Sequence, residues 1–595
     1  MKKKVLAFML AAMMTAGLTA CGGNGGSNLA GTDSPSAASG QSEAADSGSS
    51  EAADAAAGDL YFEELQHLIV AFPTWTGAPA DTEMVTEKVN EILREKYNIE
   101  VEFQISDSGS YKQNMTLALS SGEQIDVLST LFSSYSNMVN QGYLMDLEED
   151  ELLQTYGQGI IDVLGQEYID ACRVGGVLYG LTNTRDYAAG RGCIAVGTEY
   201  LDAVGYEAPA DAGEIIKITE DELNDIFAKL HAQYPNLEVY RPAANDLVQQ
   251  TMIDQIGGDN FGVLLGTSDD LKIINLFESD EYMNFCKRVY NWNQLGYISK
   301  DAAADTTNVG TLVKENVLMA YGTGGKPGSK VQESTGDGRD MTIFQTREDY
   351  ISSSSISSYP WVMPITTANP KASMILLNEL YTNPQLADLI IYGIEGVHYE
   401  ITEDGFLDAN AGSSPDTYST LNWLYPNQFA STVLVGNTAD LWERTETFNN
   451  EAIKSPALGF AFDSTKIATE LTSVTNVYEE YQKSLEYGFV DPEVGIPEML
   501  EKMNNAGLQK IIDEKQGIAG LNAPKLRNIL VTGILSRFIE LVESLHDVVY
   551  RSRTVVGFHL DGNVSHRLSV CEGDLPAFAQ SYINADRILF RRVCV

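Results

Sequence analysis

The chain has 595 residues, 44% of them hydrophobic and 21% charged, which is an ordinary globular composition with length enough for several domains or two large lobes. Its 83 acidic side chains against 39 basic ones leave a formal net charge of −44. That balance excludes nucleic acid as a partner, because phosphates need a basic patch, and it makes an anionic lipid surface repel the folded body. Six cysteines are scattered without any CxxC pair, so neither a disulfide framework nor a zinc site is expected.

The chain opens with Lys2, Lys3 and Lys4, then an apolar run over 5–18, then Thr19, Ala20 and Cys21. The run is too short to span a bilayer, which takes about 20 apolar residues. A basic start, a short apolar run and small residues make a secretory signal. Leu18-Thr19-Ala20-Cys21 looks like the lipobox of bacterial lipoproteins, and that resemblance implies cleavage before Cys21 and diacylation of its thiol. Two acyl chains hold a membrane stably where one holds it only marginally. Residues 1–20 therefore read as a lipoprotein signal peptide and 21–64 as a lipidated Cys with a flexible linker. The stretch 22–58 is Gly, Ser, Ala, Asp and Glu with almost nothing to bury.

Order is expected from Leu65. "HLIVAFPTW" (67–75) reads as a buried strand stopped at Pro73. Val85, Val89, Ile92, Leu93 and Tyr97 then recur at helical spacing, with Asp81 as N-cap. "IEVEFQI" (99–105) alternates as a strand, a helical stretch follows, and "IDVLST" (125–130) is a third strand. Strand and helix in alternation predict a parallel sheet covered by helices, with ligand loops at the carboxyl ends of the strands, here Pro73–Gly77 and Ser129–Tyr135.

Longer stretches carry a resemblance. "SSGEQIDVL" (120–128), "GGVLYGLTNTRDY" (175–187), "KENVLMAYGTGG" (314–325), the segment 361–393, "GIEGVHYEI" (393–401) and "KSPALGFAFD" (454–463) resemble, in order, the extracellular solute-binding proteins of carbohydrate ABC importers. The type is family 1, in its larger lipoprotein branch with an additional C-terminal region. The resemblance implies an α/β, two-lobed periplasmic-binding-protein-like fold, each lobe a sheet flanked by helices, joined by crossing hinge strands. It implies a first lobe made of 65–184 and 322–385, and a second made of 185–321 and 386–516. It also implies capture of a carbohydrate, an oligosaccharide, by hinge closure and its delivery to permease subunits. The protein would be a monomer without cofactor, tethered by its lipid to the outer face of the bacterial cytoplasmic membrane.

Past Gln516 the resemblance ends. Residues 517–595 hold nine basic and seven acidic side chains, so the rest of the chain carries more than the whole net negative charge. This anomalous tail reads as an accessory domain, a fusion or a frame-shifted end.

No catalytic signature stands out. With 83 carboxylates, paired acids arise by chance and carry no signal for glycoside hydrolysis. G-x-S-x-G and H-E-x-x-H are absent, "GTGGKPGSK" (322–330) fails the phosphate-loop spacing and reads as a turn at a lobe crossing, and "TEDGFLDANAG" (402–412) lacks the EF-hand register. No metal or catalytic residue is expected. The alternatives to transport are a surface-anchored glycosidase or esterase, and a sugar sensor or adhesin on the same fold.

Aromatic platforms fit the C–H faces of sugars, and Asp, Glu, Asn and Arg fit their hydroxyls. Trp75, directly after a strand in a Pro/Gly turn, is expected as a platform on the first lobe. Trp423 or Tyr425, in "NWLYPN", would face it from the second. Arg185 and Tyr187 lie in the first crossover and Tyr321 at the return crossing, so all six are expected at one interlobe site. Asp126 is expected to be structural.

Overall fold

The computed structural model describes residues 60–517 apart from 134, 211, 267, 269, 461 and 463, and in addition two paired strands, Val556–His559 and Arg567–Val570. The expected signal peptide, the lipidation at Cys21, most of the linker and nearly all of the anomalous tail lie outside the described residues.

The expected alternation of strands and helices holds over 66–129. The strand Gln66–Thr74 pairs in parallel with Ile99–Asp107 on one side and with Val127–Ser129 on the other. Between them, the helix Thr82–Tyr97 buries Val85, Val89, Leu93 and Tyr97 along one stripe. Asp81 does not cap it with its side chain; its carboxylate instead lies 3.3 Å from Nε2 of the buried His398. Asp126 is fully buried and structural. It accepts hydrogen bonds from the backbone N–H of Ile69 and of Ala368, both at 2.7 Å, so one carboxylate ties the third strand's lead-in to a segment 242 residues later. Trp361–Val362 pairs antiparallel with Val127–Ser129, and Gly180–Leu181 pairs antiparallel with Trp361–Val362 at the edge of this sheet.

The second sheet is built around the strand Ala189–Gly197, which pairs antiparallel with Leu318–Gly325, Met341–Gln345 and Asp349–Ile351. Strands Ile215–Lys217, Glu238–Arg241 and Ile453–Lys454 flank these. The lobe boundaries therefore differ from those expected. Residues 318–351 stay in the second sheet, and the return to the first sheet comes at Trp361 rather than at 322. The segment from 370 to the 420s then packs on the first sheet, where Leu380, Ile391, Leu424 and Tyr425 share a core with Val70 and Phe72. Residues 322–325, the start of the expected turn 322–330, belong to the strand Leu318–Gly325 for a steric reason. A Cβ at Gly322 would stand 2.6 Å from Oδ1 of Asp246, so glycine lets two strands and a buried carboxylate close up.

Three crossings join the sheets, and buried polar residues fix them. Asn449 accepts from the N–H of Tyr187 and Ala188 and donates to the carbonyl of Arg185, holding the first crossing at three points. Asp254 accepts from the N–H and hydroxyl of Ser353 in the second crossing and from the hydroxyl of Ser455 in the third. After Ala468–Glu486 and Pro492–Ala506, a last helical segment runs to 517. Val474, Leu485, Met499, Met503, Leu508 and Ile511 join the core of the second lobe. No described helix is long and apolar enough to cross a membrane.

Two carboxyls in this lobe set a pH dependence. Burial pushes Asp246 up to about 6 and Glu486 up to about 7. The folded state therefore binds these two protons more tightly than the unfolded chain does. Their contribution to stability is whole below the ordinary carboxyl range and is lost as pH rises through 6 and 7. Glu148 acts in the opposite sense, since its ion pair with Arg173 holds it below its ordinary value. The melting temperature should thus peak in mild acid, at about pH 5, and fall towards pH 8. Asp246→Asn keeps an acceptor for the 2.5 Å bond from the Tyr240 hydroxyl and should flatten that fall. An unchanged slope in the variant would mean that Asp246 does not titrate there.

Candidate functional site

At the carboxyl end of Gln66–Thr74 the chain turns through a short loop that carries Trp75. The hydroxyl of Thr74 brackets that loop, accepting from the Gly77 N–H at 3.0 Å and donating to its carbonyl at 2.5 Å. Gly77 has φ +93°, a conformation open to glycine without steric cost. The loop leaves the Trp75 indole 59% exposed, which is unusual for so large an apolar group. Its ring centroid lies 5.8 Å from that of Phe132 and 6.4 Å from that of Trp423. Tyr359 stands 5.4 Å beyond Trp423, and the Arg185 guanidinium lies 4.9 Å over the Tyr359 ring. A row of four aromatic rings thus leads to a cation.

The loop that holds Trp423 is pinned from several sides. Its carbonyl accepts from the Asn183 side chain, and the Trp361 indole N–H donates to Leu424 at 2.8 Å. The Thr184 N–H donates to Pro426 at 2.7 Å, and the Gln428 N–H donates back to Thr184 at 2.9 Å. These bonds tie the loop to the first crossing.

At the inner end of the row a polar cleft of about 460 Å³ opens between the lobes. Trp423, Asn422 and Gln428 wall it on the first lobe's side, Lys326 and Gln332 on the second lobe's side, and Arg185, Asp186 and Tyr359 lie at the crossings. Lys326 Nζ is 2.5 Å from the Asp186 carboxylate, and Arg185 Nη1 is 3.4 Å from it. Burial works against that charge, yet Lys326 and Arg185 hold the Asp186 carboxyl below its ordinary range. Arg185 also donates to the carbonyls of Asp186 at 2.6 Å and Ser355 at 3.1 Å, which spans the first and second crossings.

Of the six expected site residues, Arg185 and Trp423 line this cleft, and Trp75 stands beside it against Trp423. Trp423 reaches it from the first lobe, not the second, because its loop packs on the first sheet. The other three lie elsewhere. Tyr187 is buried against Tyr168, with ring centroids 4.6 Å apart. Tyr321 is a core residue of the second sheet whose hydroxyl lies 2.7 Å from a carboxylate oxygen of Glu333 and of Asp337 and shares its one proton with them. Tyr425 is buried in the first lobe's core. Phe132 and Tyr359 were not anticipated. Tyr359 had a signal: it directly precedes a proline and a tryptophan at a strand start, much as Trp75 follows two residues after Pro73 at a strand end.

Chemically, the cleft offers exposed aromatic faces, amide groups and one ion-paired carboxylate. Among the described residues no group of three His, Cys, Asp or Glu side chains could hold a metal ion. Cys172, Cys193 and Cys286 are buried and free.

Comparison with known proteins agrees with this picture. A family model described as a domain of unknown function, DUF3502, matches residues 456–517. A carbohydrate ABC transporter substrate-binding protein of Streptococcus pneumoniae serotype 4 is 25% identical over 452 residues, 74% of this chain and 87% of that protein. The crystal structure of the N-glycan transport solute-binding protein NgtS of S. pneumoniae matches with a TM-score of 0.68 at 21% identity, over 77% of this chain and 99% of that one. NgtS in complex with Man5GlcNAc matches at 0.56, with 21% identity over 78% and 99% of the two chains. An extracellular solute-binding protein of Bifidobacterium longum subsp. infantis matches at 0.54 with 16% identity, over 77% and 98%. The fold is thus the two-lobed periplasmic-binding-protein-like one, and most of the sequence is similar to a protein named as a carbohydrate ABC transporter substrate-binding protein.

Proposed function

We propose that this solute-binding-type chain captures an oligosaccharide between its lobes and delivers it to the permease of an ABC importer. The observation that carries the reading is the row Trp75–Trp423–Tyr359, which ends at Arg185 in a polar cleft. Sugar rings have apolar C–H faces that stack on aromatic rings, and hydroxyls that amides and charged groups can bind. Lys326 and Gln332 of the second lobe complete the site only when the lobes stand close, so a ligand touching both favours the closed form by its differential affinity. Release to the permease needs no chemistry on the sugar. The chain is a monomer held at the outer face of the cytoplasmic membrane by lipid on Cys21.

The test is a thermal-shift and calorimetric panel of mono- and oligosaccharides, including Man1GlcNAc and Man5GlcNAc, on protein from the native host. Oligosaccharides should raise the melting temperature and monosaccharides should not. The mass of the mature N-terminal peptide reports Cys21 lipidation in the same preparation. Turnover of any sugar, or no response to the whole panel, would sink the reading.

A further inference from the structure

Phe132 occupies a backbone position that does not suit it. The turn Thr130–Ser133 is closed by the Ser133 N–H donating to the Thr130 carbonyl at 2.8 Å. Phe132 is its third residue and has φ +63°. That place in a turn belongs to glycine or asparagine, because a Cβ there crowds the backbone. The turn cannot relax easily, since the Thr130 N–H and hydroxyl both donate to the Pro360 carbonyl, at 3.1 and 2.9 Å. Strain of this kind persists where surrounding structure fixes it, and it clusters at ligand clamps.

Burial does not explain the ring. Phe132 is 38% exposed, and its aromatic neighbour Trp75 is 59% exposed. The turn therefore presents a large apolar side chain to solvent at a steric cost, next to another that is also in solvent. The pair lies at the outer end of the aromatic row, with Phe132 two ring steps from Trp423 in the cleft wall, where a ligand filling the inner cleft alone would leave Phe132 uncovered.

We propose that Phe132 and Trp75 form an outer subsite for a distal sugar ring, so that Phe132 selects oligosaccharides long enough to extend beyond the Trp423–Tyr359 subsite. This rests on the reading that the cleft binds carbohydrate. The occupant is a pyranose unit presenting its C–H face, because the pair offers it two partly exposed ring faces.

The backbone supplies a clean test. Phe132→Gly and Phe132→Asn remove the ring while fitting the turn better than phenylalanine does. Both should keep or raise the unliganded melting temperature. By calorimetry, the wild type should bind Man5GlcNAc more tightly than Man1GlcNAc. Each variant should lose about thirtyfold in affinity for Man5GlcNAc, the scale of truncating a binding anchor, and change less than twofold for Man1GlcNAc. Man5GlcNAc binding that survives Phe132→Gly at full strength overturns the subsite and leaves the carbohydrate reading standing. Unfolding of both variants without ligand also overturns it, since the ring would then be a core group. Absence of binding by the wild type to both probes overturns the subsite together with the reading beneath it.

Discussion

Trp75→Ala should leave the unliganded melting temperature within a few degrees of wild type while removing most of the rise that ligand produces. The indole is 59% exposed, and its described ring contacts are only with Phe132 and Trp423. Truncation therefore opens no cavity in the core. In a site, by contrast, losing an aromatic anchor costs about 2 kcal/mol or more, a weakening of about thirtyfold. At 100 times its dissociation constant a ligand stabilises the fold by about 2.7 kcal/mol. The same concentration on a thirtyfold weaker variant gives only about 0.9 kcal/mol. Differential scanning fluorimetry with an oligosaccharide that binds the wild type reads both quantities at once. Trp361→Ala is the contrasting control: that indole is 4% exposed and donates to Leu424, so its loss should cost about 3–5 kcal/mol without ligand. If Trp75→Ala behaves like Trp361→Ala while the ligand-induced rise survives, Trp75 is a core residue and the cleft lies elsewhere.

The contrast between these two tryptophans shows what a sequence carries and what it does not. Trp75 was legible because local chemistry decides its fate: a strand pattern ends, a proline and a glycine follow, and the ring between them has no periodic partners. The strands and helices over 66–129 were legible for the same reason, since periods of 2 and 3.6 are written within short windows. Lobe membership is different, because it depends on which distant strand completes a ladder. "GTGGKPGSK" reads as a turn by composition, yet its first residues continue the strand Leu318–Gly325 beside Ala189–Gly197, because Gly322 and Gly325 admit Asp246 and Cys193 at close approach. The same gap misplaced Tyr321. On a strand, alternate residues face opposite sides, and only the register says that Tyr321 points into a core beside Ile343 and Leu312. Tyr425 and Trp423 are two residues apart in one loop. One is buried and one lines the cleft because Leu424 is pinned by Trp361, a contact 63 positions away.

Asp259→Ala should destabilise the fold by about 3 kcal/mol, and adding Lys515→Met should restore most of the loss. Lys515 stands in the final helical segment, inside the stretch matched by DUF3502, and its side chain is wholly buried. Its ammonium donates to Asp259 Oδ1 at 2.7 Å and to the Gly262 carbonyl at 3.3 Å, and it lies 5.5 Å over the Phe462 ring. Removing one partner of a buried pair leaves an uncompensated charge, which costs about 3–5 kcal/mol. Asp259 keeps 22% of its side chain in solvent, which places this pair at the lower end of that range. Replacing the lysine by an apolar group of similar length removes the charge itself, so the double variant should approach wild type. The pH dependence gives an independent check. Burial lowers the Lys515 amine below its ordinary value, although Asp259 opposes this. A folded-state value below the unfolded one means that the unfolded chain holds the proton more tightly, so the penalty shrinks as pH rises towards the ordinary lysine range. Denaturant melts of wild type, single and double variants at neutral and alkaline pH measure all of this. A single variant as stable as wild type, or a double variant no better than the single, would mean that the C-terminal helices dock on the second lobe without help from this pair. Their docking would then rest on the apolar contacts of Val474, Leu485, Met499 and Ile511 and on hydrogen bonds such as those of Gln516 with Leu271 and Ile273.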